Sequence, residues 1–377
     1  MKSLNLPYNP RIDQLRWLAA TVVFVFHFYL EYRGAGGAAL QTAWLGIFTE
    51  GHTGVGLFFT LSGFLFMQIA QYQQRIDYRA FLRNRLLRIL PLFLTIYLVA
   101  LSIGRDTFQP QDIFYIFTTN LGLAPTSQTA VTGPAWSISL EFSFYLLFPF
   151  LARFAMKLGE RYLIKILLLL VFFKLAAYTV NENSELMYFS TFVGRFDQFV
   201  VGMLAEMWYQ RHGATLRAHA RWLLPLVTVG VLGNSALQAH VAPFEALPKS
   251  PFWITWSLLE SVGWACFIVA WLSAELRLPA WLERVLNHGG KISFSFYLLH
   301  MAMIHLLMKA VGLQTISGNV WFDGLLMLAA AYGACWAIAA LSYSTIEAPF
   351  LYMRRPYGQA AARPIEIEIN DIARRGN

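Results

Sequence analysis

The sequence predicts an all-α polytopic membrane protein with about ten transmembrane helices and both termini cytoplasmic. Three observations carry this. Of 377 residues, 57% are hydrophobic and 13% charged, against roughly 25% charged in a soluble domain. The apolar residues gather in runs near the ~20 that cross a bilayer as helix. The basic residues concentrate in alternate loops, as cytoplasmic loops do. Disorder, a collagen-like chain and a disulfide scaffold are excluded. The net charge of +8 marks cytoplasmic loops rather than nucleic-acid binding. Cys266 and Cys335 lie inside apolar runs, where burial leaves thiols inert.

The first span is expected over 14–32, behind Lys2, Arg11 and Arg16. A secretory leader cleaved in the small-residue run Gly34–Ala39 is the competing reading, but Asp13, Arg16 and His27 make a poor leader core. Span two, 54–71, reaches a loop holding Arg75, Arg79, Arg83, Arg85 and Arg88. Span three, 87–103, leads out to a loop with Arg105. The run Ile113–Ala124 is too short to cross and is read as re-entrant or interfacial. Counting it as a crossing breaks the charge alternation.

Span four, 137–153, returns to Arg153, Lys157, Arg161 and Lys165, from which span five, 163–180, departs. Spans six and seven, 188–209 and 222–241, flank Arg211, Arg217 and Arg221. Span eight, 252–273, leads to Arg277, Arg284 and Lys291. Spans nine and ten, 291–312 and 320–345, bring the chain back to Arg354 and Arg355. One membrane domain over 1–353 is expected, followed by a polar cytoplasmic tail, 354–377.

Ionisable residues inside spans are costly and are functional candidates by default. A rise of about 1.5 Å per residue places His27 about 20 Å, Glu141 about 22 Å, Ser62 about 18 Å and His300 about 14 Å above the inner face. Arg16, Arg83, Arg85 and Arg88 lie near that face. The arrangement reads as an anion-binding patch below a His/Glu centre. A carboxylate beside a neutral imidazole fixes its tautomer and lets it act as a general base. Guanidinium groups bind phosphates bidentately. A substrate with phosphates inside and a reactive group about 15–20 Å further out fits this spacing, and acyl-coenzyme A has that shape.

At these residues the sequence resembles the membrane acyltransferase 3 family, over about residues 9–352. The likeness rests on seven ordered blocks: Arg16 and His27 with ten residues between them, Gly54–Phe64, Arg83–Pro91, Trp136–Tyr145, Arg195–Gly202, Ser293–His300 and Ser342–Pro349. The resemblance implies ten helices in a bacterial inner membrane. It implies a cytoplasmic acyl-CoA donor, usually acetyl-CoA, with no covalently bound cofactor, and transfer to a hydroxyl of an extracytoplasmic or lipid-linked glycan. It implies His27 as the catalytic residue with Glu141 in its centre, Arg16 as its partner, and Arg83, Arg85 and Arg88 as the CoA site. Ser62, Trp136, Ser139, Tyr145, Arg195, Asp197 and His300 are candidates for the substrate path. No metal is expected. A separate extracytoplasmic transferase partner and a homo-oligomer stay open.

Blander readings stand beside these. The arginines of span three double as topology signals that snorkel to the interface. Ser62-Gly63 suits close helix packing. Arg195 and Asp197 suit a salt bridge at the outer interface, and Trp136 suits the aromatic belt. His52 and His305 read as structural. The rival function is a transporter or flippase of a lipid-linked sugar or small anion, and a scaffold for polysaccharide assembly is a third reading.

Overall fold

A computed structural model describes residues 5–40, 42–74, 76–103, 133–180 and 185–357. These residues form helices α1 (Pro10–Gly34), α2 (Gly46–Thr49), α3 (Thr53–Gln73), α4 (Tyr78–Ile103), α5 (Ala135–Leu158), α6 (Glu160–Val180), α7 (Glu185–Ser190), α8 (Phe192–Val241), α9 (Phe252–Ser273), α10 (Ala280–Val311), α11 (Val320–Ser342) and α12 (Ala348–Tyr352). No strand occurs among the described residues. The expected short segment Ile113–Ala124 lies outside them.

Eight of these helices are long and apolar enough to cross a membrane, with the last crossing running over Val320–Tyr352. The 25-residue α1 is not among the eight, because Arg16 and His27 lower its apolarity. The helix least suited to lipid thus carries two of the candidate site residues. Its start is fixed by Asn9, whose side chain accepts from the Arg11 amide at 3.0 Å, with Pro10 in the first turn.

Spans six and seven appear as one element, the 50-residue α8. Arg195, near its start, has its guanidinium carbon 4.3 Å from the Trp256 ring centroid. Gln238, near its end, accepts from Nε1 of the same indole at 2.9 Å. A straight helix would hold residues that far apart in sequence about 65 Å from each other. α8 therefore doubles back as two antiparallel legs, although helical hydrogen bonding runs through the reversal. The basic stretch Arg211–Arg221 expected as a loop is helical, and Arg211 is tied to Glu160 of α6 at 2.9 Å.

α3 is the hub. Its face carries small residues, so other backbones approach closely. Gly63 meets the Phe199 carbonyl of α8, Gly202 meets the Thr60 carbonyl of α3, and Gly54 meets the Ala19 carbonyl of α1. Across the hub from α8, Gly289 and Gly290 of α10 lie against Trp17 and Asp13 of α1. The periphery is apolar outward, as a bilayer requires: Leu98 and Ile103 on α4, Leu168 and Phe172 on α6, and Trp222 and Leu226 on the second leg of α8 are exposed. Cys266 also faces outward, contrary to the burial expected of it, while Cys335 is buried.

The start of the expected tail is not a tail. Tyr357 is fully buried. Its amide donates to Asn5 Oδ1 at 2.8 Å, and its carbonyl accepts from the Asp77 amide at 2.9 Å. Arg355 exchanges bonds with the Asn84 side chain. Residues 354–357 belong to the domain because α4 needs these partners at its first turns.

Candidate active site

At the basic end a cavity of about 180 Å³ opens between α1, α4, α10 and the two ends of the described chain. Five cations line it: Arg16, Arg85, Arg88, Lys291 and Arg354 with Asp13 the acid among its lining residues. Arg16 binds Asp13 at 3.0 Å with more than a third of its side chain exposed. Tyr8 donates to the other oxygen of Asp13 at 2.9 Å. Burial and the Asp13 charge push the Tyr8 phenol up to about 12. Arg354 is pulled down to about 10, first by burial and then by the neighbouring Arg88 and Arg85. Crowded cations of this kind call for an anion.

The side chains of α4 sort by helical angle. At about 100° per residue, Arg85 and Arg88 lie about 60° apart and Arg83 about 160° from Arg85. Arg85 and Arg88 face the cavity. Arg83 lines a separate apolar groove with Arg79, Leu86 and Pro91. Arg83 is therefore not brought together with the other expected CoA ligands. Arg85 sits among the rings of Phe66, Phe81, Tyr145 and Tyr357, at 4.9 to 5.8 Å from their centroids. Arg88 binds the buried Glu347 at 3.2 Å. Glu347 closes a π-helical turn over Tyr343–Glu347 and also accepts from Ser295.

A second cavity, of about 90 Å³, adjoins the first and shares Arg16, Leu65, Phe66, Arg85 and Arg88 with it. It runs deeper, to Ser62, Ser137, Glu141, Tyr145 and Tyr297. Ser62 donates to Glu141 Oε1 at 3.3 Å, and Tyr145 donates to the same oxygen. Ser137 and Tyr297 share a hydroxyl–hydroxyl bond of 2.6 Å. The structure thus gathers Arg16, Arg85, Arg88, Ser62, Glu141 and Tyr145 along one path. Ser139 is half-buried one turn from Ser143, which donates to its carbonyl at 3.3 Å.

His27 lines neither of these two cavities and is linked to Tyr297 through His300. Its Nδ1 lies 3.0 Å from the Val23 carbonyl and 3.1 Å from Nε2 of His300. Among the described residues no hydrogen bond joins it to Glu141, which spends its bonds on Ser62 and Tyr145. Depth along the membrane put His27 and Glu141 on one level. It carried no information on which helix faces which, and α10 brings His300 to α1.

Arg195 and Asp197 are also placed elsewhere than expected. Both are fully buried between α6, α8 and α9, and they take different partners. Arg195 binds Glu260 at 3.1 Å and the Phe189 carbonyl at 2.7 Å. Its charge also lies over the rings of Trp256 and Trp136, at 4.3 and 5.7 Å. Asp197 binds Lys174 at 2.7 Å and Ser257 at 2.8 Å. This is a packed ionic core, so neither residue lines an entrance. Trp136 is half-buried against Phe59 and Phe189 and packs inward instead of forming a lipid belt. Beside this core, His52 joins Glu50 and Gln238 at 3.2 and 3.0 Å, a structural placement as expected.

Lys291 and Arg354 were legible in the sequence as loop charges alone. Their place in the cavity depends on α10 and the last described turn meeting α1 and α4. Tyr297 lies inside the Ser293–His300 block, and its four-residue inclusive spacing to His300 is the sequence signal for it.

The acyltransferase domain model matches residues 9–340 of the chain. Acyltransferase MdmB of Streptomyces mycarofaciens is 27% identical over 93% of this chain and 94% of its own length. O-acetyltransferase OatA of Staphylococcus aureus is 23% identical over 96% of this chain, which spans 62% of that protein. An acetyltransferase-like protein of Acidianus two-tailed virus, ORF330, is 33% identical over 39% of this chain and 42% of its own. No solved structure matches.

Proposed function

The chain belongs to the acyltransferase 3 family, and from that premise we propose that this membrane acyltransferase moves an acyl group from acyl-CoA to a hydroxyl of a glycan or lipid-linked sugar. The observation that carries this is the pair of adjoining cavities. The outer one offers five cations to a ligand of several phosphates. The inner one continues from it past Phe58, Phe59 and Phe66 to Ser62 and Glu141, a lining that suits a pantetheine arm. Arg16, Arg85, Arg88, Lys291 and Arg354 hold the phosphates on the cytoplasmic side, with both chain ends on that side and ten crossings of a bacterial inner membrane. Arg83 is released from this role.

His27 acts as general base. It takes the acceptor hydroxyl proton as the oxygen attacks the thioester carbonyl, and it returns that proton to the departing CoA sulfur. Glu141, Ser62 and Tyr145 give the arm a polar end-wall. Acetyl is the favoured group, because the O-acetyltransferase OatA aligns with 96% of the chain.

The test is release of free CoA by purified protein with acetyl-CoA and a crude surface-glycan fraction. Release that depends on the acceptor and is lost in His27→Ala supports the reading. Normal release by that variant would remove His27 from the chemistry. If neither protein releases CoA and acetyl-CoA fails to raise the melting temperature, the transport reading takes its place.

A further inference from the structure

We propose that His300 is the positioning residue of the reaction: it accepts a hydrogen bond from Nδ1–H of His27 and so leaves Nε2 of His27 as the basic nitrogen. The proposal rests on the reading of His27 as general base.

The hydrogen-bond network assigns the tautomers. Nδ1 of His300 faces the Tyr297 carbonyl, which can only accept, so this nitrogen carries the proton. In a neutral imidazole the other nitrogen is then an acceptor. That acceptor, Nε2 of His300, lies 3.1 Å from Nδ1 of His27. The second neighbour of His27 Nδ1 is the Val23 carbonyl at 3.0 Å, another acceptor. A nitrogen between two acceptors carries hydrogen. The lone pair of His27 is therefore on Nε2, on the side away from His300.

A bond from helical histidine Nδ1 to the carbonyl four residues back is not special. His212 and His219 make it too, at 3.0 and 2.9 Å. What sets His27 apart is the second imidazole. The pair also has the exposure that a base and its support need. His300 is 1% exposed, while His27 is partly open. His300 is held by Tyr297 and lies beside Phe24. Tyr297 in turn is bonded to Ser137 and lines the inner cavity. The seating of the base is thus tied, through His300 and Tyr297, to a wall of that cavity.

The proton balance is closed. The acceptor O–H loses its proton to Nε2 of His27, a C–O bond forms, and the C–S bond breaks. The CoA sulfur then takes the proton back. During the interval His27 is an imidazolium, and Nε2 of His300 accepts from its Nδ1–H throughout. This is the role a buried carboxylate plays in hydrolase triads, filled here by a neutral group that adds no second charge to the membrane interior.

The experiment compares His27→Ala, His300→Leu and His300→Gln with wild type in the acetyl-CoA release assay, with the acetyl-CoA-induced rise in melting temperature as a check of fold and donor binding. Glutamine can place an acceptor oxygen near the Nε2 position, whereas leucine cannot. The expected result is a kcat loss of about 10²–10⁴-fold for His300→Leu, an unchanged KM for acetyl-CoA, and recovery of at least about tenfold by His300→Gln. If His300→Leu does not fold, His300→Gln is read against wild type and is expected to keep kcat within about 10²-fold. The proposal is overturned if His300→Leu keeps wild-type kcat, if glutamine is no better than leucine, or if the loss lies in KM. Full activity of His27→Ala would instead overturn the underlying reading of His27.

Discussion

Gly63 of α3 and Gly202 of α8 form a reciprocal backbone contact: a Cβ on either would lie 2.0 Å from a carbonyl oxygen of the other helix. Neither oxygen can swing aside, because each belongs to a helix backbone. Gly63→Ala or Gly202→Ala must push the helices apart, at a cost of about 1–3 kcal/mol or more. Gly230→Ala and Gly233→Ala, which meet open space on the second leg of α8, should leave stability unchanged or raise it by about 0.5–1 kcal/mol. Thermal unfolding in detergent checks the contrast, and equal losses at all four sites would refute it.

Arg16 and Arg88 should separate ligand binding from folding. Both line the outer cavity, and loss of either charge should raise KM for acyl-CoA about 10–100-fold, the worth of a charged hydrogen bond. Arg16→Ala breaks a partly exposed pair with Asp13 and should cost about 0–1 kcal/mol of stability. Arg88→Ala strands Glu347, which is 1% exposed, and should cost about 3–5 kcal/mol. Melting curves without ligand distinguish the two.

Arg83→Ala should leave KM for acyl-CoA unchanged, since its side chain turns to the groove with Leu86 and Pro91. Titrating acyl-CoA against the melting temperature of Arg83→Ala and Arg85→Ala tests this directly. Equal loss of ligand response in both would restore Arg83 to the donor site.

Asp197→Ala should fail as a folding variant and not as a substrate variant. It leaves Lys174 at 0% exposure without its carboxylate, a loss of about 3–5 kcal/mol. KM values of whatever folded enzyme remains should match wild type. A raised acceptor KM with normal stability would return Asp197 to the substrate path.

Glu50 gives a pH dependence. Burial pushes its carboxyl up to about 8, with Glu245 and Glu260 adding to the rise and the Phe244 amide opposing it. The folded form therefore holds a proton that the unfolded chain releases near 4.5. Its contribution to stability is present below that value and is lost as pH rises through about 8. Glu50→Gln should melt above wild type at pH 9 and resemble it at acid pH. Parallel melting-versus-pH curves would contradict the assignment.

Much of this was legible in the sequence. The runs of apolar residues placed the helices, and the ordered blocks located Arg16, Arg85, Arg88, Ser62 and Glu141 along one path. The failures share a cause. Counting rise along a helix gives depth, but contact needs the angle around the axis and the identity of the neighbour. Arg83 needed the first, which the sequence does contain. His27 needed the second, and nothing local to α1 announces that α10 supplies its partner. Arg195 and Asp197 sit two positions apart, so they face different sides of α8 and each found its own counter-ion.

The bond between Asn5 and Tyr357 has a consequence in time. The outer cavity draws its walls from the first and the last described segments, Asn5–Asn9 and Arg354–Tyr357 among them. During synthesis the helices between emerge long before those walls can meet. The outer cavity therefore cannot close until Arg354–Tyr357 has been made and has met Asn5–Asn9. Its formation reports that the first and last described segments have met.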